Sequence, residues 1–560
     1  MPKFILDGIE IEFKQGQTII EAAAAHGIDI PHFCWHPSLS VSGNCRMCLV
    51  EIEKMPKLMI ACSTVAAEGM VVHTQSPKTI EARNAVMEFF LINHPLDCPI
   101  CDEAGECKLQ DYAYQHSTGE SRFIEEKIHK DKRVPLGPYV MFDAERCISC
   151  SRCIRFCDEI AKEPQLTFVK RGDRVTIVTY PGKELDNPYS LNTTDICPVG
   201  ALTNRDFRFR ARVWDMSATK SVCVGCARGC NSEIWVRNNE VLRITPRFNE
   251  EVNSYWMCDH GRVNTYKFIN SSDRVNGPHI RKEGILTKVG WDEAFQHAAN
   301  QLKLFKAEEI AFIASPYATC EDNFIFKKFA QSVVGSKNLD FLCHVDPNFA
   351  DDILRNEDLT PNTLGCELLE ITPSKGGFNL EGILNGIEAK KIKAVYLIED
   401  DIIQSNPEWE NIFTKLDLFI VHSTNFNRTT SLADIVFPAA AYAEKNGTFV
   451  NFQGRVQRIR PAVATVDVDR AVDGLALSRL DKFGTVFDRW AEKNKRDAKS
   501  TWKILTELSA LFNNKLKYNL AEDVFNDIAK SNKLFSKLDY DIIGEIGVNL
   551  DLKKESSIKV

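Results

Sequence analysis

No uninterrupted apolar run in this chain is long enough to cross a bilayer. The best stretches, around 86–92 and 435–443, are broken by Glu88 and Pro438, which predicts a soluble or peripheral chain. No two glycines are separated by a single residue, so the G-x-G dinucleotide fingerprint is missing. The nearest approach to a P-loop, Gly377 and Gly382, is followed by Ile383 where the lysine belongs. No stripe of Lys and Arg with interleaved aromatics stands out against a net charge of −8, which argues against nucleic acid. No nucleophile triad is evident, and no catalytic residue is assigned. Residues 1–13, MPKFILDGIEIEF, read as a β-hairpin and not as a basic-then-apolar leader. The second half nearly lacks cysteine, holding only Cys320, Cys343 and Cys366 after residue 258. These three sit among apolar residues and read as core.

The cysteines that are present crowd forward: 16 of the 19 precede residue 259. Without a leader, that number points to metal binding in a reducing compartment and away from a disulfide scaffold. The cysteines fall into four groups. The first is Cys34, Cys45, Cys48 and Cys62, in which several thiolates lie close together and one arrives from a distant strand. Thiolates suit iron–sulfur clusters, and Gly43 lets the loop curl so that amide N–H groups face the sulfurs. A structural zinc is the alternative here.

The second group, in NHPLDCPICDEAGEC, is Cys98, Cys101 and Cys107, one ligand short of a four-iron cluster; His94 is the obvious fourth. The third is Cys147, Cys150 and Cys153 with a remote Cys197 followed by Pro198, a four-iron ferredoxin pattern. Cys157 extends the run but is followed by Asp158, not proline, and has no second complete set, so it reads as a buried non-ligand. The fourth group is Cys223, Cys226, Cys230 and Cys258, with zinc again the alternative. Fifteen cysteines plus His94 make four ligands for each of four centres. The remaining histidines, His32 and His36 beside Cys34 included, complete no constellation.

A length of 560 residues exceeds one hydrophobic core. The pattern divides as 1–77, 78–118, 119–215, 216–272, 273–480 and 481–560. In the first segment Asp7-Gly8 marks a tight hairpin, Thr18 caps a helix over 19–25, and 47–53 and 70–74 read as strands, the order of a small ubiquitin-like ferredoxin. Ser76 and Pro77 open a helix over 76–93 with Ile80, Val86, Phe89, Phe90 and Ile92 roughly on one face. Charged residues 118–138 read as a linker. Asn238-Asn239 joins two strands after the fourth group. Strand-like runs at 309–315, 339–343, 393–399 and 417–422 alternate with helical stretches, which predicts an α/β domain with a largely parallel sheet. From about 480 the chain reads as a charged helical tail.

The order of these groups, with NHPLDCPICDEAGECKLQD and ERCISCSRCIRFCDEI, resembles the family of large iron–sulfur subunits, the G subunits, of bacterial NADH–quinone oxidoreductase (respiratory complex I). ADIVFPAAAYAEKNGTFVNFQGRVQ (433–457) resembles molybdopterin oxidoreductases. The resemblance implies a multidomain α+β and α/β chain: a ubiquitin-like [2Fe–2S] ferredoxin, two [4Fe–4S] ferredoxin-like modules, then a molybdopterin-oxidoreductase-like α/β domain without molybdopterin. It implies one [2Fe–2S] cluster on Cys34, Cys45, Cys48 and Cys62. It implies three [4Fe–4S] clusters: one on His94, Cys98, Cys101 and Cys107, one on Cys147, Cys150, Cys153 and Cys197, and one off the main path on Cys223, Cys226, Cys230 and Cys258. The implied role is electron relay in a proton-pumping translocase. The implied partners are a flavoprotein NADH-binding subunit with its [2Fe–2S] partner and peripheral-arm subunits leading to quinone. The implied location is the cytoplasmic face of a bacterial inner membrane, with membrane contact only through the complex. Two enzyme readings compete: a molybdenum-dependent formate dehydrogenase using Cys320, Cys343 or Cys366, and an iron-only hydrogenase, for which those three cysteines are too few.

Overall fold

The computed structural model describes residues 1–467 and 495–552. The expected boundary at 480/481 lies outside the described residues. The chain divides into two compact units, Met1–Trp214 and Asp215–Val560, each taken separately below.

The first unit opens on β1 (Lys3–Leu6) and β2 (Ile9–Glu12), joined by Asp7 and Gly8, both with positive φ (49° and 84°). That pair of left-handed residues matches the twist of the two strands, as a two-residue hairpin requires. Thr18 caps α1 (Ile19–Ala25) reciprocally with Glu21. Then come β3 (Leu49–Ile52), β4 (Met59–Ile60) and β5 (Val71–His73). The sheet runs β2-β1-β5-β3-β4, with β1 and β5 parallel. Phe4, Leu6, Ile11, Ile19, Ile20 and Val72 close its core together with Cys48 and Cys62. The sheet thus delivers two of the first group's sulfurs to the inside.

Ser76 caps α2 (Pro77–Ile92), as expected, but the helix buries a different face. Thr79, Arg83 and Met87, spaced four apart, are its buried residues, whereas Ile80 is 42 % and Phe89 75 % exposed. The row at 79, 83 and 87 faces β3, where Arg83 donates to the Leu49 carbonyl at 3.1 Å. Phe90 packs edge-on against Phe33 as well.

After α3 (Lys108–His116), residues 117–133 carry no helix or strand. Strands β6 (Val134–Pro135) and β7 (Val140–Phe142) precede α4 (Arg152–Arg155). A hairpin follows, β8 (Leu166–Val169) with β9 (Thr176–Thr179), then α5 (Asn192–Asp195) and β10 (Leu202–Asn204). The order β10-β7-β6 brings the Cys197 loop back beside the loop of Cys147–Cys153.

The second unit begins with an antiparallel sheet of β11 (Ser217–Val222), β12 (Asn231–Arg237) and β13 (Glu240–Pro246), followed by α6 (Asp259–Val263). Asn238 and Asn239 both turn at positive φ between β12 and β13. Beyond lie β14 (His279–Lys282), β15 (Ile285–Lys288), α7 (Trp291–Leu302), β16 (Ile310–Ala314), α8 (Cys320–Lys328), β17 (Asn338–Phe341), β18 (Ala394–Ile398), β19 (Leu418–Ser423) and β20 (Ile435–Pro438). The sheet order is β15-β14-β20-β19-β18-β16-β17, and its five central-to-edge strands from β20 to β17 are parallel.

Both faces of this sheet are buried, which explains why its strands read as continuous apolar runs. Phe312, Tyr396, Ile420 and Phe437 face one core; Ile313, Val395, Val421 and Val436 face the other. Strand β17 ends at Phe341, so Cys343 lies past it and is exposed, not core; Cys320 and Cys366 are fully buried.

The C-terminal segment is not an appended tail within the described residues. Trp502, Ile504, Leu505, Val524, Phe525 and Ile528 join the larger core. Val548–Asn549 forms β23 against β22 (Arg455–Ile459), itself paired with β21 (Gly447–Val450). No helix among the described residues is long and apolar enough to cross a membrane.

Candidate metal centres

The first set is built on the loop between α1 and β3, with Cys62 just beyond β4. All four sulfurs are buried. They meet directly: contacts with the Cys45 and Cys62 thiols hold the Cys34 thiol down, and both of those partners go up in return. Cys62 likewise lowers Cys48. Amides of Asn44 and Cys45 point at the Cys34 sulfur. Gly43 (φ 62°) turns the loop, and a Cβ there would sit 3.1 Å from Ile60 Cδ1.

The second set lies between α2 and α3. Cys101 and Cys107 are buried and Cys98 is exposed. Cys98 and Cys107 both belong to the electrostatic surroundings of Cys101. His94, half-buried after α2, is held neutral, its pKa lowered to about 4 by burial and by Arg146 and Lys127. Neutral imidazole is the form that ligates a metal. The charged groups acting on His94 are Arg146, Lys127, Asp97 and Lys132. Gly200 leaves room for Cys101: a Cβ there would come 2.4 Å from its Sγ.

In the third set Cys150 and Cys153 are buried and Cys147 and Cys197 half-buried. Cys147, Cys150, Cys153 and Cys197 together line one small, nearly closed cavity with Phe142, Ile177 and Val199. Between the cysteines, Ser149 (φ 53°) and Ser151 (φ 63°) are left-handed. Such alternation curls successive amides toward an anion, and the Ser149 amide donates to Cys147 Sγ at 3.4 Å. Burial drives these thiols up, Cys153 and Cys197 most strongly. A thiolate is stable there only beside a compensating cation such as ligated iron. Cys157 is fully buried but does not line this cavity.

The fourth set, in the second unit, uses the turn between β11 and β12. The Cys223 amide donates to the Cys230 carbonyl at 2.8 Å, closing a loop that holds Cys226 between them. Cys258 caps α6, accepting from the Gly261 amide at 3.4 Å, and the Gly225 amide donates to Cys223 Sγ at 3.4 Å. A Cβ at Gly261 would lie 2.6 Å from Cys223 Sγ.

Among the described residues, no three His, Cys, Asp or Glu converge as ligands of one metal ion would. Buried sulfurs, amides aimed at them and glycines that keep the adjoining space clear form a donor set suited to iron–sulfur clusters.

Sequence reasoning missed two arginines. Arg152 donates to the Ile196 carbonyl at 3.0 Å and to the Trp35 carbonyl; Arg155 donates to the Cys34 and Ser40 carbonyls. They tie the first set's loop to α4. With Asn44 Nδ2 on the Ser149 carbonyl (3.1 Å) and Ser151 on Ser42 (3.2 Å), they make a polar seam between the first and third sets. The Pro198 carbonyl, one residue past Cys197, accepts the Lys108 amide at 3.1 Å and lies 4.0 Å from Cys107 Sγ, so the third set abuts the second. Charged residues between ligands look exposed in a sequence, and nothing in the pattern signals these contacts.

Similarity to known proteins follows the same order. Residues 3–77 match a 2Fe–2S iron–sulfur cluster binding domain, and 83–122 the NADH-ubiquinone oxidoreductase-G iron–sulfur binding region. Residues 137–203 match the ferredoxin-like domain of NADH-quinone oxidoreductase subunit 3, and 216–265 the NDSU1/NuoG-like 4Fe–4S domain. Residues 274–375 and 375–467 match molybdopterin oxidoreductase. The chain is 44 % identical over 334 residues to the NADH-quinone oxidoreductase G subunit of Rickettsia bellii, covering 60 % of this chain and 48 % of that protein. It is 40 % identical over 369 residues to the NADH-ubiquinone oxidoreductase 75 kDa subunit of Reclinomonas americana, covering 65 % and 53 %. The chain thus spans about half the length of the curated relatives it matches. A solved structure of an NAD+-reducing [NiFe]-hydrogenase in its H2-reduced state is similar at 31 % identity and a TM-score of 0.35, over 38 % of this chain and 91 % of that one.

Proposed function

We propose that this chain, a homologue of the NADH-quinone oxidoreductase G subunits across its cysteine-rich region, is an electron-relay subunit of such a complex. The ligands are Cys34, Cys45, Cys48 and Cys62 for one [2Fe–2S] cluster. Three [4Fe–4S] clusters fall to His94, Cys98, Cys101 and Cys107, to Cys147, Cys150, Cys153 and Cys197, and to Cys223, Cys226, Cys230 and Cys258. When bound, such clusters supply reversible one-electron storage.

The observation that carries the reading is contiguity within the first unit. The first set meets the third across Arg152 and Arg155, and the third meets the second at Pro198. The residues' own work is to bury the sulfurs, aim amides at them and exclude water. Hydride chemistry belongs to a flavoprotein partner. Further subunits of a peripheral arm carry electrons toward quinone, in a translocating complex at the cytoplasmic face of a bacterial membrane. The molybdopterin-oxidoreductase-like domain is read as structural, without its cofactor.

The test is reduction by NADH. The iron-loaded chain alone should give no reduced-cluster EPR signal with NADH, and adding the flavoprotein subunit should produce one. A signal without the partner, or none with it, contradicts the proposal.

A further inference from the structure

Arg152 is a cation buried without a carboxylate. It sits between Cys150 and Cys153 at the start of α4 and is 5 % exposed. Among the described residues, no Asp or Glu lies within ion-pair distance of it. Its two terminal nitrogens are spent on the Trp35 and Ile196 carbonyls, and its Nε is buried with no partner. The surroundings add positive charge: Lys108 lies close enough to feel the guanidinium. The groups around it that can become anionic are cysteine sulfurs, Cys150 and Cys197 of the third set and Cys34 and Cys45 of the first.

An isolated buried charge is among the costliest groups a protein can hold, and natural proteins pair it. Here the anionic partners at hand are the sulfurs of two candidate centres. A cluster on four thiolates is negative in both redox states and gains one further negative charge on reduction. A guanidinium fixed between two such anions stabilises each, and the reduced form more than the oxidised. The hydrogen bonds give the position a second role. One arm grips the residue after Cys34 and the other the residue before Cys197, so a single side chain fixes both ligand loops.

We propose that Arg152 is the shared counter-cation of the first and third clusters, a positioning residue that holds their loops together and raises both reduction potentials. This rests on the cluster reading above. The test is a potentiometric EPR titration of the full, iron-loaded chain carrying Arg152→Gln or Arg152→Lys, with iron and sulfide counted on each protein. Arg152→Gln should shift the [2Fe–2S] signal and one [4Fe–4S] signal to lower potential and leave the other two [4Fe–4S] signals in place. Arg152→Lys, keeping the charge, should shift both by less. If Arg152→Gln fails to load the two clusters while Arg152→Lys loads them, the need for a counter-charge is shown directly. Unmoved potentials, a shift of only one of the pair, a uniform shift of all four, or equal damage by Lys and Gln would each overturn the proposal. A wild-type chain without iron would instead overturn the cluster reading itself.

Discussion

Lys445 and Glu399 form a buried, two-pronged ion pair. The Lys445 Nζ lies 2.8 and 2.7 Å from the two Glu399 oxygens and 2.7 Å from Asp322, and the three side chains are at most 7 % exposed. One cation thus serves two carboxylates at the carboxyl end of the parallel sheet. Burial pushes Glu399 up to about 7 even so, and the residue is held at a left-handed φ of 47°.

Removing the cation should be costly. Lys445→Met leaves two carboxylates buried and unpaired, and a broken buried pair typically costs about 3–5 kcal/mol. Chemical unfolding followed by tryptophan fluorescence should show a loss of that order. A loss below about 1 kcal/mol would mean that the carboxylates take up protons at no cost.

His422 makes the second unit acid-sensitive. It is fully buried between the Tyr396 hydroxyl (2.8 Å) and Thr501 (3.2 Å), and burial, with Lys445 nearby, lowers its pKa to about 3. The folded form stays neutral while the unfolded form takes up a proton below about pH 6.5. Stability is therefore present above that pH and is lost as the pH falls toward 3, by about 1.4 kcal/mol per unit. His422→Gln should flatten the pH dependence of the unfolding midpoint between about pH 6.5 and 4. An unchanged slope would show that His422 is protonated in the fold.

Gly261 should matter for one centre alone. A Cβ there would lie 2.6 Å from Cys223 Sγ and 3.7 Å from Cys258 Sγ. Gly261→Ala should lose the fourth cluster, about four irons, and leave the other EPR signals unchanged.

Cys157 and His94 make opposite predictions. Cys157→Ala should leave iron content intact, because that sulfur does not line the third cavity. His94→Ala should remove one four-iron signal and spare the [2Fe–2S] signal. Iron analysis with low-temperature EPR reads both.

Much of this was legible in the residues because the signals are local. Asp7-Gly8 and Asn238-Asn239 set their own turns, Thr18 and Ser76 cap the helices after them, and cysteine spacing groups the cysteines that share a loop. The parallel strands were legible because burial on both faces leaves nearly uninterrupted apolar runs. What escaped depends on distant partners. The burial of Arg83 on α2 goes with its contact to the Leu49 carbonyl, 34 residues away. The packing of Trp502 and Phe525 into the α/β core is invisible in a charged segment. Arg152 becomes informative only once Trp35 and Ile196 are seen on either side of it.

The central claim is that four cysteine-rich sets hold iron–sulfur clusters, and metal and sulfide analysis of the anaerobically purified chain tests it most directly. The account predicts about 14 irons and as many acid-labile sulfides per chain, with one two-iron and three four-iron EPR signals on reduction. A colourless protein carrying zinc and no labile sulfide would contradict it.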